Sequence, residues 1–88
     1  MNITKIEIDR NVEGKNLIGI VNIIINNQFK LEDIKLMKGN KGMYLLFPQN
    51  SFYKCIYYPT KEETRQEILE KILKQYKKDL TYEKLRAS

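Results

Sequence analysis

Between Phe29 and Pro48 the chain reads FKLEDIKLMKGNKGMYLLFP, a stretch that limits the possible folds more than any other. Phe29 and Leu31 fall on one parity of an extended chain, Ile34 and Leu36 on the other. A strand that buries one face keeps its apolar residues two apart, so the pattern slips at Glu32-Asp33. Two accounts fit: a β-bulge that bends the strand and switches its inward face, or a strand that crosses from one core to another. Gly39-Asn40-Lys41-Gly42 then reads as a tight hairpin connection, because Gly and Asn tolerate the positive φ that such turns require. Met43 to Phe47 is the return strand, and Pro48 ends it or sits at an edge.

Upstream, Ile3 to Asp9 alternates, with Ile6 and Ile8 on one face and Lys5, Glu7 and Asp9 on the other, as a half-buried strand does. Asn11 to Lys15 supplies a glycine turn. Leu17 to Asn26 is apolar on both faces and rich in β-branched residues, which favours a central strand or one facing a partner chain. Gly19 within it points to a bulge or a close backbone approach, and Asn26-Asn27 to a turn. After the polar turn Gln49-Asn50-Ser51, the aromatic run Phe52 to Tyr58 reads as a final strand closed by Pro59.

The period then changes. Thr60-Lys61-Glu62-Glu63 has the form of a capping box. Ile68, Leu69, Ile72, Leu73, Tyr76 and Leu80 line one helical face. Glu62, Glu63, Glu67 and Glu70 crowd the front half, and Lys71, Lys74, Lys77 and Lys78 the rear, a polarity that opposes the helix dipole. Glu67–Lys71 and Glu70–Lys74 are spaced to pair at i,i+4. Leu80, Tyr82 and Leu85 either prolong this helix or start a short one capped by Thr81. The expected organisation is a single domain over residues 1–80 with an 81–88 tail, partly helical or disordered.

Eighty-eight residues leave no room for a second core, and a chain of this size buries only roughly 60–65% of its unfolded surface, so dimerisation is a natural supplement. Hydrophobic content of 42% with 31% charged residues suits a folded globular protein rather than a disordered one. The net charge of +5 permits an anionic partner such as nucleic acid without demanding one. Cys55 is the only cysteine and histidine is absent, so an internal disulfide and zinc-finger chemistry are excluded. Cys55, mid-strand and without an acid–base partner nearby, reads as a small buried hydrophobe. No paired carboxylates or phosphate loop are found, so neither an enzyme, a cofactor nor a small-molecule substrate is expected. The first residues lack a signal-peptide apolar core, and Leu17 to Ile25 falls short of a membrane span. A cytoplasmic protein with no membrane partner is therefore expected.

The order β-β-β-turn-β-β-α, with these residues, resembles the stage V sporulation protein G family, the septation regulators. The likeness runs from Phe29 through Asp33-Ile34 into Gly39-Asn40-Lys41-Gly42-Met43-Tyr44 and Phe47-Pro48. It continues over Phe52 to Pro59 and into Thr64-Arg65, reaching about Tyr76. The chain departs from the family pattern at Lys38, where an acidic residue is usual, at Phe47 (methionine) and at Tyr58 (histidine). It also has a shorter loop at Gln49-Asn50-Ser51. The resemblance implies a homodimeric, sequence-selective DNA- and RNA-binding regulator without catalysis, acting in sporulation, cell division or bacterial gene control. It also implies nucleic-acid contact by the helix and the segment after it.

The expected fold is therefore α+β: a bent antiparallel sheet of about five strands with one long C-terminal helix packed on it, in a homodimer. Lys71, Lys74, Lys77 and Lys78 lie away from the helix's apolar face, either to contact phosphates or as a solvated face balancing the dipole. Arg65 falls within the apolar arc, and either bridges to Asp33 or Glu32 or holds a phosphate at a groove. Lys38 and Lys41 flank the hairpin turn, where backbone N–H groups offer an anion site or simply turn the chain. The aromatic strand offers a stacking platform for bases or else core packing. The alternative to nucleic-acid binding is a protein-interaction module that recruits a division or regulatory partner through its dimer or sheet edge.

Overall fold

A computed structural model of the chain describes residues 2–52, 54 and 56–87. Four strands, β1 (Ile3–Asp9), β2 (Leu17–Ile25), β3 (Phe29–Gly39) and β4 (Gly42–Leu46), precede one helix, α1 (Glu62–Ala87). The chain divides into two compact units, Met1–Tyr58 and Pro59–Ser88.

In the first unit the strands form one antiparallel sheet in the order β1-β2-β3-β4. Each turn is set by local chemistry. Between β2 and β3, Asn26 and Asn27 take φ of 53° and 55° while the Gln28 N–H donates to the Ile25 carbonyl at 2.9 Å. This mirror-image turn has the twist that hairpins favour, and Asn tolerates it. Between β3 and β4, Gly39 pairs with Gly42 around Asn40-Lys41. The positive φ there falls to Gly42 (118°) and not to Asn40. Gly39 is needed for space instead: a Cβ there would lie 3.1 Å from the Tyr44 ring.

The parity slip in β3 is a bulge. Leu31 pairs with Ile23 and Ile34 with Val21, so Glu32 and Asp33 together oppose the single residue Asn22. Asp33 takes φ of 66°, and its N–H donates to Asn22 Oδ1 at 3.2 Å. Ile34 and Leu36 thereby join Val21 and Ile23 on one face, with Leu45 and Phe47 beyond them, and all six are buried. An L-residue in left-handed backbone costs about 1–2 kcal/mol, less for Asp than for a β-branched side chain. Asp33→Gly is therefore expected to match or slightly exceed the parent in urea denaturation. Asp33→Val should lose about 1–2 kcal/mol.

Gly19 fulfils both sequence expectations. The β2–β3 register shifts between Leu17 and Gly19, and a Cβ at Gly19 would lie 3.1 Å from the Asp9 carbonyl oxygen. The opposite sheet face carries half-buried Ile20 and Ile24 among Lys5, Glu7 and Lys30. β2 is thus apolar on both faces but fully buried on only one.

The expected fifth strand is not seen. Among the described residues of Phe52–Tyr58 none is in a strand, and Tyr53 and Cys55 lie outside the described residues. The Ile56 N–H donates to the Pro48 carbonyl at 2.7 Å and the Asn50 N–H to the Lys54 carbonyl at 2.8 Å. Asn50 Oδ1 accepts from the Phe52 and Lys54 N–H groups at 2.9 and 3.1 Å. The asparagine side chain thus takes donors that a sheet partner would need, and the run closes into a loop.

Tyr57 pins that loop to the bulge. Its hydroxyl donates to the Glu32 carbonyl, and its ring meets Phe47 edge-on at 6.0 Å. Burial, with the Asp33 and Glu32 carboxylates adding to it, pushes the phenol up from 10.0 to about 12. The folded state therefore favours the neutral phenol. That preference is complete below pH 10 and lost as pH rises through about 12. Tyr57→Phe is expected to cost about 1 kcal/mol at neutral pH through the lost hydrogen bond. The variant should also show a smaller fall in stability than the parent between pH 10 and 12, read from urea midpoints across that window.

Helix α1 is continuous from Glu62 to Ala87. The capping box does not form: the Arg65 N–H donates to the Lys61 carbonyl at 3.1 Å, which makes Lys61 the first acceptor, one residue later than Thr60. Thr81 starts no second helix; its hydroxyl donates back to the Lys77 carbonyl at 2.9 Å. Ile68 and Ile72 are the buried members of the apolar face. Among the described residues, no helix is long and apolar enough to cross a membrane.

Candidate nucleic-acid interface

The helix separates its charges along its length and its polarity around its circumference. At 3.6 residues per turn, Lys71, Lys74 and Lys78 follow one another on the side away from the apolar face of Ile68, Leu69, Ile72, Leu73, Tyr76 and Leu80, with Lys77 on the flank. Lys74, Lys77 and Lys78 are exposed, and Lys71 is half-buried. Lys71 Nζ lies 3.4 Å from Glu67 Oε1, the first of the two expected i,i+4 pairs. The second, Glu70–Lys74, is not formed among the described residues.

Pairing sets this stripe apart from the lysines of the sheet. Glu7 lies 3.6 Å from Lys5 Nζ and 3.4 Å from Lys30 Nζ, so one carboxylate serves both cations. Lys74, Lys77 and Lys78 have no carboxylate within ion-pair distance among the described residues. An exposed cation without a counter-charge beside it presents its full charge to an external anion, whereas a neighbouring carboxylate offsets the local field.

Lys74, Lys77 and Lys78 line one shallow groove together with Thr81, Tyr82 and Leu85. Tyr82 and Leu85 are missing from the residues that sequence reasoning singles out as contacts. Their signal is nevertheless in the spacing, since 74-78-82 and 78-81-85 are helical neighbours.

The remaining candidates do not join the stripe. Arg65 is half-buried and lies on the Ile68–Ile72 side of the helix, opposite the lysines. Lys38 and Lys41 are exposed in the β3–β4 hairpin. The Lys38 N–H donates to the Asn16 carbonyl at 2.8 Å, so it is not free to hold an anion. Among the described residues of the aromatic run, Tyr57 is turned onto Phe47, whereas Phe52 and Tyr58 are exposed within the loop; Tyr53 lies outside the described residues. Among the described residues no His, Cys, Asp or Glu cluster could hold a metal ion.

Comparison with known proteins gives this arrangement a lineage. The SpoVG family model matches residues 1–78. A SpoVG protein of Clostridium perfringens is 36% identical over 83 residues, covering 89% of this chain and 91% of the relative. One from Agathobacter rectalis is 31% identical over 84 residues, covering 91% and 97%. One from Thermoanaerobacter sp. is 31% identical over 83 residues, covering 89% of each. Their names designate them candidate septation proteins and state no catalytic activity. The match spans all four strands, the bulge, the hairpin and the lysine run of the helix, and the chain belongs to the SpoVG family.

Proposed function

We propose that this protein is a nucleic-acid-binding regulator, of DNA or RNA, in bacterial sporulation, septation or gene expression, and that it acts without catalysis as a homodimer. The observation that carries the reading is the run Lys74, Lys77, Lys78, exposed and without carboxylate partners among the described residues, on one continuous helix with Lys71 beside it. A helix holds such cations at fixed intervals, so their alignment along a phosphate backbone costs little entropy beyond that of the side chains. The net charge of +5 adds long-range attraction, and Lys38 and Lys41 contribute a second, smaller basic point. Self-association is supported by the half-buried Ile20 and Ile24 on the second sheet face.

A second reading has its own observation. Phe52, Ile56 and Tyr58 are 79%, 66% and 57% exposed in one loop, an apolar surface of the kind that recruits a protein partner. Gel shifts at low salt with a DNA duplex and with RNA separate the two. The nucleic-acid reading expects retarded species, and their absence at low salt favours the interaction module.

A further inference from the structure

Neutralising a backbone needs only the lysines, yet the groove they rim also exposes an aromatic ring and an aliphatic side chain. Tyr82 is 62% exposed and Leu85 is 70% exposed. A single exposed tyrosine is ordinary on a protein surface. This one continues the lysine row at its own interval: Lys74, Lys78 and Tyr82 stand four residues apart, about 6 Å along the helix axis at each step. Both Tyr82 and Leu85 lie beyond residue 78, where the family match ends.

The chemistry selects the occupant. A duplex presents phosphates outward and keeps its base faces stacked inside, so it offers nothing to an exposed ring on this stripe. A single strand presents phosphates and bare π-faces together, the combination that a basic track with an aromatic on it recognises. A partner helix would need apolar anchors at i, i+3, i+4 and i+7, and here only Tyr82 and Leu85 are apolar. We propose that Lys74 to Leu85 forms a single-strand-binding surface. In it Tyr82 stacks on an unpaired base, Lys78 and Lys74 contact successive phosphates on the N-terminal side of that ring, and Leu85 covers the nucleotide's sugar edge. This inference rests on the nucleic-acid reading above and adds the class of nucleic acid.

The test uses the full chain, with fluorescence anisotropy on a labelled thymidine homo-oligomer and on a mixed-sequence duplex of equal length, at about 50 mM salt. Tyr82→Ala is expected to weaken the single strand about tenfold and to leave the duplex nearly unchanged. Tyr82→Leu, which keeps bulk and helix propensity but removes the ring, should behave like Tyr82→Ala. Tyr82→Phe should bind like the parent. Equal weakening of both probes, weakening of neither, or a loss in Tyr82→Phe matching that in Tyr82→Ala would overturn the stacking role while leaving the lysine reading in place. Binding of neither probe by the parent chain would overturn both.

Discussion

Ile34→Ala should be the most damaging conservative truncation in the sheet, lowering the unfolding free energy by about 2–5 kcal/mol. Ile34 is fully buried, pairs with Val21, and sits immediately after the bulge residue Asp33. β2 lies on one side of it, and Leu36 and Phe47 are buried as well. The cavity therefore has little freedom to collapse. At about 0.05–0.15 kcal/mol per residue, a chain of this length holds only about 4–13 kcal/mol in total. The loss should lower the thermal midpoint by about 10–30 °C. Ile20→Ala on the half-buried face is the control and should cost distinctly less. Urea denaturation followed by far-ultraviolet circular dichroism reads both. A loss below about 1 kcal/mol for Ile34→Ala would show that the bulge does not direct this residue into the core.

The parity slip was legible because the side-chain period of a strand is two, but its choice between a bulge and a crossing between cores was not; the extra residue opposite Asn22 and the left-handed Asp33 make it a bulge. The hairpin was legible from its glycines, although the positive φ belongs to Gly42 while Gly39 makes room for Tyr44. The aromatic run misled because strand propensity registers side-chain type and not competition for backbone donors. Asn50 captures the Phe52 and Lys54 N–H groups, an effect invisible until the loop is closed. The capping box failed by one residue for a similar reason: the Thr60 pattern was present, but Lys61 became the first acceptor. At the candidate site, the lysine stripe could be read directly from spacing. Its pairing could not, since Glu67 reaches Lys71 while Glu70 leaves Lys74 free of an ion pair among the described residues. Tyr82 and Leu85 were legible as helical residues only, because whether the helix continues past Asp79 decides which face they occupy.

Replacing Lys71, Lys74, Lys77 and Lys78 together with Gln should lower nucleic-acid affinity at least about a hundredfold at 50 mM salt. The fold should survive. Glutamine is a helix former close to lysine in propensity, and among the described residues the ion pair lost is Lys71–Glu67, worth about 0.3–0.5 kcal/mol. The single substitutions should not be equal. Lys71→Gln removes a charge already shared with Glu67 and should weaken binding less than Lys78→Gln, whose ammonium has no carboxylate partner among the described residues. Each phosphate contact removed should also reduce the salt slope by about one. Equal binding by the quadruple variant and the parent would move the contact surface off the helix.

The most direct measurement is the affinity of the unaltered chain for a DNA duplex and for RNA as salt is raised from 50 to 200 mM. About four lysine–phosphate contacts predict a slope of about −3 to −4 in log affinity against log salt, a fall of roughly a hundredfold across that range. A flat response, or no binding at the low-salt end, would contradict the assignment of the helix lysines to a nucleic-acid backbone.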